Sequence, residues 1–357
     1  MRAGNNTSRS KQPGQKQAAQ TEAGGTNKAG GQHTNAADST GSRDTVTTAV
    51  LLLVCAIFIA INGRNDGAPL TAVALQARGE RGWAALIYLW LLLPIVPLLG
   101  FWGVADSLYK MLGVGSQSPG RTIALITAVL LTILLSNLAG IPTSITLALV
   151  GALAGVGWAT GAGISGALLI RVLSLGLAAP IVAALIAYGL GRVRLRDTRA
   201  TRNIVLTYQK ITLPLLITAY AANDGQKMAF VIALALGATV PEVATMPVAL
   251  FIGSTIFIVG VLFGLRSSGK FVRHGITSVR PMDLLWAETG ASIAVLGGSA
   301  LGVPLSMTQS VTGAVAGVGL SRSTRAIYWR SVGRIGIAWV WTLPVASGLA
   351  YVFVSLM

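Results

Sequence analysis

The sequence predicts an all-α polytopic membrane protein: two inverted repeats with broken helices or re-entrant half-helices, and about 10–12 membrane segments. Three observations predict it. Charged side chains are too few to cover a water-facing surface, apolar runs follow one another along the chain, and a pair of motifs recurs in the same order.

Charged residues make up 11% of the 357 and hydrophobic residues 53%. A soluble domain carries roughly 25% charged residues, so lipid must be the solvent for much of this chain. Residues 1–45 are the exception. They are polar, without an aromatic residue, and are predicted to be a disordered tail, because they cannot bury enough apolar area to offset chain entropy. From residue 46 the apolar runs are 46–62, 83–103, 121–139, 141–160, 162–190, 204–222, 226–240, 244–265, 284–300, 303–320 and 332–356. Several fall short of the roughly 20 residues that cross a hydrocarbon core, or are interrupted by Gly, Pro or polar residues.

The net charge of +16 does not point to nucleic acid. Thirteen of the 21 basic residues after residue 45 fall in three short loops. Arg192, Arg194, Arg196, Arg199 and Arg202 form one; Arg266, Lys270, Arg273 and Arg280 the second; Arg322, Arg325, Arg330 and Arg334 the third. Short basic loops between apolar spans follow the positive-inside bias, which places all three in the cytoplasm. No folded basic face with stacking aromatics is visible. The single cysteine, Cys55, excludes an internal disulfide and a thiolate metal site, and reads as a packing residue. Nucleophile, base and orienting group do not appear together, so the chain is read as no enzyme, and no cofactor is expected.

The repeat organises the rest. GIPTSITLALVGALAGVG at 140–157 and GVPLSMTQSVTGAVAGVG at 302–319 are identical at ten of 18 positions, at an offset of 162. GRNDG at 63–67 and AANDG at 221–225 precede them at an offset of 158. Apolar bias matches Leu, Ala and Gly by chance, but not Asn-Asp and then Gly-x-Pro-x-Ser-x-Thr, twice. The domains are therefore a tail at 1–45, repeat one at 46–190, a basic cytoplasmic loop at 191–203 and repeat two at 204–357. An odd number of crossings per half makes the repeats antiparallel and puts both termini outside.

Inverted repeats with broken helices are a transporter architecture whose sites lie near the midplane. A break exposes free N–H groups at one half-helix start, which attract anions, and free carbonyls at the other half's end, which bind cations with carboxylates. Asn65-Asp66 and Asn223-Asp224 are the candidates for a coupling cation, since an ionised Asp deep in hydrocarbon costs several kcal/mol without a partner. Helix capping at the membrane edge is the alternative reading. Ser144 and Thr146, and Ser306 and Thr308, follow Pro142 and Pro304 into a first helical turn, where hydroxyls and N–H groups can hold a dehydrated oxyanion. Such hydroxyls also commonly bond back to their own helix. Glu288 fits either a proton relay or cation site, or an interfacial place beside Asp283. Arg64, Lys227 and Arg171 can attract an anion, although snorkelling to the surface is the commoner fate of such chains. Glu242 reads as a loop residue, and the Gly151–Gly155 spacing as helix packing.

With these residues the chain resembles the inorganic phosphate transporter (PiT) family, as a divergent prokaryotic-type member. That family carries a GANDVAN-type and a G-L-P-V-S-T-T-H-type motif in each half. Their counterparts here are Gly63-Arg-Asn65-Asp66 and Gly140-Ile-Pro142-Thr-Ser144-Ile-Thr146, then Asn223-Asp224-Gly225-Gln226-Lys227 and Gly302-Val-Pro304-Leu-Ser306-Met-Thr308. Glu288 matches an intramembrane Glu of the family. The resemblance implies a multi-pass plasma-membrane symporter of inorganic phosphate with sodium ions or protons. It implies cation ligands at Asp66, Asp224, Asn65, Asn223 and Glu288, with any sodium held at Asp66 and Asp224. It implies anion contacts at Ser144, Thr146, Ser306, Thr308, Asn65 and Asn223. Leu147 and Gln309 replace the motif's His, Pro69 its second Asn, Tyr220 a His and Arg64 a small residue; a Glu about 30 residues after the first Asn-Asp is missing. These departures keep sulfate or another oxyanion, and a degenerate non-transporting membrane protein with a regulatory role, as alternatives. The partners implied are the anion and the lipid bilayer, with a homo-oligomer left open.

Overall fold

The computed structural model describes residues 34–67, 79–113, 118–138, 143–162, 164–193, 199–274 and 276–357, and no strand occurs among them. The expected tail lies outside the described residues as far as residue 33. Residues 34–44 belong to a first unit of the chain, and Thr45–Met357 form a second.

Thirteen α-helices follow in order among the described residues: α1 (Thr34–Asn62), α2 (Gly79–Leu98), α3 (Gly103–Leu112), α4 (Pro119–Leu138), α5 (Ile145–Thr160), α6 (Gly166–Gly191), α7 (Arg199–Tyr220), α8 (Gln226–Leu236), α9 (Val240–Val243), α10 (Pro247–His274), α11 (Pro281–Ala300), α12 (Met307–Arg322) and α13 (Trp329–Ser355). Five stretches are long and apolar enough to cross a membrane: Thr45–Gly67, Pro119–Leu138, Gly166–Gly191, Pro247–Leu265 and Trp329–Ser355. A sixth is broken, Trp83–Leu98 meeting Gly103–Leu112 at 66°. Pro94 and Pro97 in the last turns of α2 remove backbone donors, and Gly100 takes φ +86° in the bend. The remaining helices are shorter or more polar.

Each apolar run named from sequence falls on a helix, most ends shifting by about five residues or fewer, while α1 (Thr34–Asn62) begins well before its run at 46–62 and α10 (Pro247–His274) ends well after its run at 244–265. One helix they did not separate is α3. It carries Asp106 and Lys110 on one face, paired at 2.6 Å, and buries Val104, Ala105, Leu108, Met111 and Leu112 on the other.

The two halves pack by exchange. Helix α5 of the first half lies along α13 of the second, while α12 of the second lies along α6 of the first. The glycines explain the closeness. A Cβ on Gly151 or Gly155 would run into the carbonyl oxygens of Leu343 and Ser347 on α13. A Cβ on Gly313 or Gly317 would run into those of Pro180 and Ala184 on α6. Small residues one turn apart let helix backbones touch, the usual means of helix association in lipid. The Gly151–Gly155 spacing thus packs a helix crossing, and its twin does the same in the other half. Cys55 is buried in the core as a packing residue.

Two of the three basic loops lie together. Tyr328 donates its backbone N–H to the Ile276 carbonyl at 2.9 Å, and Thr277 Oγ1 donates to the Ala326 carbonyl at 2.8 Å. Arg322 reaches across with an ion pair to Asp283 (3.2 Å) and hydrogen bonds to Thr277 Oγ1 (2.9 Å) and the Ser278 carbonyl (2.7 Å). The loops at 276–280 and 323–328 therefore share one end of the molecule, as their common charge requires if both are to face the same side.

Candidate functional site

Each Asn-Asp pair occupies a single π-helical turn, Gly63–Gly67 after α1 and Ala221–Gly225 after α7. Such turns interrupt regular i→i+4 pairing and recur at functional sites. Their glycines seat each break against the other half of the molecule. A Cβ on Gly63 would collide with the Phe257 carbonyl of α10, and one on Gly225 with the Leu93 carbonyl of α2. Any side chain at these two positions would force the break away from the helix it packs against.

The Gly-x-Pro-x-Ser-x-Thr motifs deliver two helix starts to the same place. Ser144 caps α5 by accepting the Leu147 N–H at 3.2 Å, and Ser306 caps α12 by accepting the Gln309 N–H at 3.4 Å. In the second motif Gly302 takes φ +69°, which favours glycine, and presses against Gly103 at the start of α3. Ser107 Oγ of that helix donates to the Gly302 carbonyl at 2.6 Å. In the first motif Gly140–Pro142 lie outside the described residues.

The Leu305 carbonyl, one residue before the α12 cap, gathers three donors. Thr146 Oγ1 from the first turn of α5 donates at 2.9 Å, Asn223 Nδ2 at 2.7 Å and Lys227 Nζ at 2.8 Å. Asn223 also accepts the Leu305 N–H at 3.0 Å. One backbone residue of α12's lead-in is thereby bound to the first turn of α5 and to the second Asn-Asp turn. The starts of α5 and α12 meet at this point, with their unpaired N–H groups and positive dipole ends.

The acidic residues of the two turns are likewise brought together. Asp66 and Asp224 are both fully buried, and Asp66 interacts electrostatically with both Asp224 and Lys227. Asn65 Nδ2 donates to Asp66 Oδ1 at 3.1 Å and to the Thr143 carbonyl at 3.4 Å. Asn223 Nδ2 donates to Asp224 Oδ1 at 3.3 Å. In each carboxylate the second oxygen, Oδ2, has no hydrogen-bond partner among the described residues. Tyr220 is buried within reach of both charges.

The other candidates fall into place around this centre. Ser306 Oγ and Thr308 Oγ1 are 3.0 Å apart on α12. Glu288 is buried but tied elsewhere: Thr212 Oγ1 of α7 donates to its Oε2 at 2.8 Å. No hydrogen bond among the described residues links it to either Asp. Arg64 is exposed, and Arg171 spends its guanidinium on the Leu301 carbonyl at 2.8 Å. Glu242 caps the short α9, accepting the Thr239 N–H at 2.7 Å, a bond that holds its carboxyl below the usual range.

Two residues of the Asn223-Asp224-Gly225-Gln226-Lys227 motif have parts that sequence reasoning did not assign them. Lys227, weighed as one of three basic side chains prone to reach the surface, is fully buried and bonds Asp224 Oδ1 at 2.9 Å and Thr146 Oγ1 at 2.8 Å. Its spacing of three residues after Asp224, one helical turn on, was the signal that could have found it. Gln226 accepts the Val104 N–H at 2.8 Å and donates to the Ala222 carbonyl at 2.5 Å, tying α3 to the broken helix. Nothing in its neighbourhood in sequence pointed to α3.

Known proteins resemble this architecture in sequence and in fold. The phosphate transporter family model matches residues 191–350, which hold the second Asn-Asp turn, Lys227, Glu288 and the second Gly-x-Pro turn. Over those residues the chain is similar to the phosphate transporter family. It is 29% identical over 313 residues to a probable low-affinity inorganic phosphate transporter of Rhizobium meliloti (strain 1021), covering 83% of this chain and 92% of that one. It is 26% identical to a protein of the same description from Bacillus subtilis (strain 168), covering 84% and 94%. Its fold is that of a solved sodium-dependent phosphate transporter, with a TM-score of 0.71 at 18% identity, over 87% of this chain and 98% of that one. Those relatives are described as transporters, not as enzymes.

Proposed function

We propose that the chain carries inorganic phosphate across the plasma membrane by symport with sodium ions or protons. The observation that carries this reading is the junction at Leu305, where two helix starts and two buried Asn-Asp turns from opposite halves converge. The family and the relatives' names support phosphate as the substrate.

The chemistry follows from the parts. N–H groups at the starts of α5 and α12, with Ser144, Thr146, Ser306, Thr308, Asn65 and Asn223, offer neutral donors to an oxyanion. Lys227 already balances one of the two carboxylates, and the remaining charge repels that oxyanion until a cation neutralises it, so anion binding waits on cation binding. That order is the physical content of coupling. The carboxylate oxygens of Asp66 and Asp224 are hard ligands that suit sodium, and Glu288 would serve either as a further ligand or as a proton carrier. The site's side chains are closed off by the two halves, so passage requires the exchanged helix pairs α5–α13 and α12–α6 to rock against each other. We place the basic loops in the cytoplasm and the repeats antiparallel.

Labelled phosphate and sulfate uptake into proteoliposomes, with sodium and proton gradients imposed separately, tests the reading. Phosphate accumulation driven by one of the two gradients is expected. Sulfate accumulation with phosphate excluded would reassign the anion, and no accumulation of either would overturn transport.

A further inference from the structure

The two halves treat their carboxylates differently. In the second half Asp224 Oδ1, the Leu305 carbonyl and Thr146 Oγ1 surround one ammonium, Lys227 Nζ, at 2.9, 2.8 and 2.8 Å. A carboxylate, a main-chain carbonyl and a threonine hydroxyl are the oxygen donors that a bare alkali cation takes. The repeat offsets assign each donor a twin: Asp66 for Asp224, Thr143 for Leu305 and Thr308 for Thr146. The geometry near the twins is alike, since Asn65 reaches the Thr143 carbonyl as Asn223 reaches that of Leu305. The turn Gly63–Gly67 also packs against α12, which carries Thr308. One member has no counterpart. The position equivalent to Lys227 is Pro69, and no ammonium is bonded to Asp66 among the described residues.

We infer that Lys227 is a tethered cation standing where a mobile coupling ion would otherwise sit, so that a single exchangeable cation site remains, formed by Asp66, the Thr143 carbonyl and Thr308. The inference rests on the symport reading and sharpens it. A tethered ammonium neutralises Asp224 permanently and cannot leave with the anion. Only the cation at the Asp66 site enters and departs with each cycle, and Lys227 acts by holding Asp224, Thr146 and Leu305 in register rather than by travelling.

The test uses the full-length protein and four variants: D224N, K227Q, the pair D224N/K227Q, and D66N/K227Q as control. Thermal midpoints are measured in detergent and phosphate uptake in proteoliposomes. Each single change leaves one buried charge without its partner, and uptake is expected to fall below about a tenth of the unmodified protein. D224N/K227Q removes both charges together; its midpoint is expected to exceed both single variants and its uptake to recover to within about threefold. D66N/K227Q recovers neither. Midpoints that merely add across the pair would overturn the inference. So would a folded D224N/K227Q that transports no better than K227Q, because Lys227 would then serve the anion itself. An unmodified protein that takes up no phosphate sinks the symport reading while the midpoint comparison still reports on the charge pair.

Discussion

Asn223 is the residue on which the junction hangs most directly. Its amide accepts the Leu305 N–H at 3.0 Å, donates to the Leu305 carbonyl at 2.7 Å and donates to Asp224 Oδ1 at 3.3 Å. In Asn223→Ala the carbonyl keeps Thr146 and Lys227, and Asp224 keeps Lys227. The Leu305 N–H alone loses its partner, in a buried place. An orphaned buried donor costs about 1–3 kcal/mol, which corresponds to a fall in midpoint on the order of 5 °C. Asn65 differs: its bonds, at 3.1 and 3.4 Å, are longer, and it is only half-buried. Asn65→Ala should therefore cost under about 1 kcal/mol. Both variants should lose most phosphate uptake, because each loosens the Asp beside it. Tryptophan fluorescence during thermal unfolding in detergent, alongside uptake by the same preparations, reads both effects. Asn223→Ala as stable as the unmodified protein, or Asn65→Ala the less stable of the two, would refute this ordering.

Four further outcomes are expected. Gly155→Ala and Gly317→Ala each thrust a methyl group into a carbonyl of the facing helix and should destabilise by about 1–3 kcal/mol. Gly176→Ala on the open face of α6 should stabilise by about 0.5–1 kcal/mol in the same melts. Arg322→Ala removes an ion pair and two hydrogen bonds between the basic loops, lowering the midpoint while leaving at least about half the uptake. Glu288→Gln keeps an acceptor for Thr212, so the fold should hold; a fall in uptake at an unchanged midpoint would assign its charge to coupling, and unchanged uptake would remove it from the site.

Helices were legible because lipid demands them: with no water to satisfy backbone groups, every long apolar run had to be helical. The runs at 121–139 and 162–190 accordingly match α4 and α6 closely. Helix α3 was hidden because it is amphipathic and follows α2 with only a Pro-driven bend between them. Both halves of the site could be read from the doubled motifs, since Asn-Asp and Ser-x-Thr have no reason to recur on apolar bias. That the halves meet by exchange could not be read, because it depends on which helix a glycine pair faces. Lys227 was discounted on the habits of lysines near membrane ends, and only the structure shows Asp224, Thr146 and Leu305 closing around it.

The central claim is that the junction of the two halves binds and moves an inorganic anion together with a cation. Asp66→Asn is the most direct probe, since it removes the one buried carboxylate of the pair that has no ammonium bonded to it among the described residues. Labelled phosphate uptake by reconstituted Asp66→Asn, under whichever of the sodium or proton gradients drives the unmodified protein, should be abolished while membrane insertion is intact. Gradient-driven phosphate uptake at the unmodified rate would contradict the account.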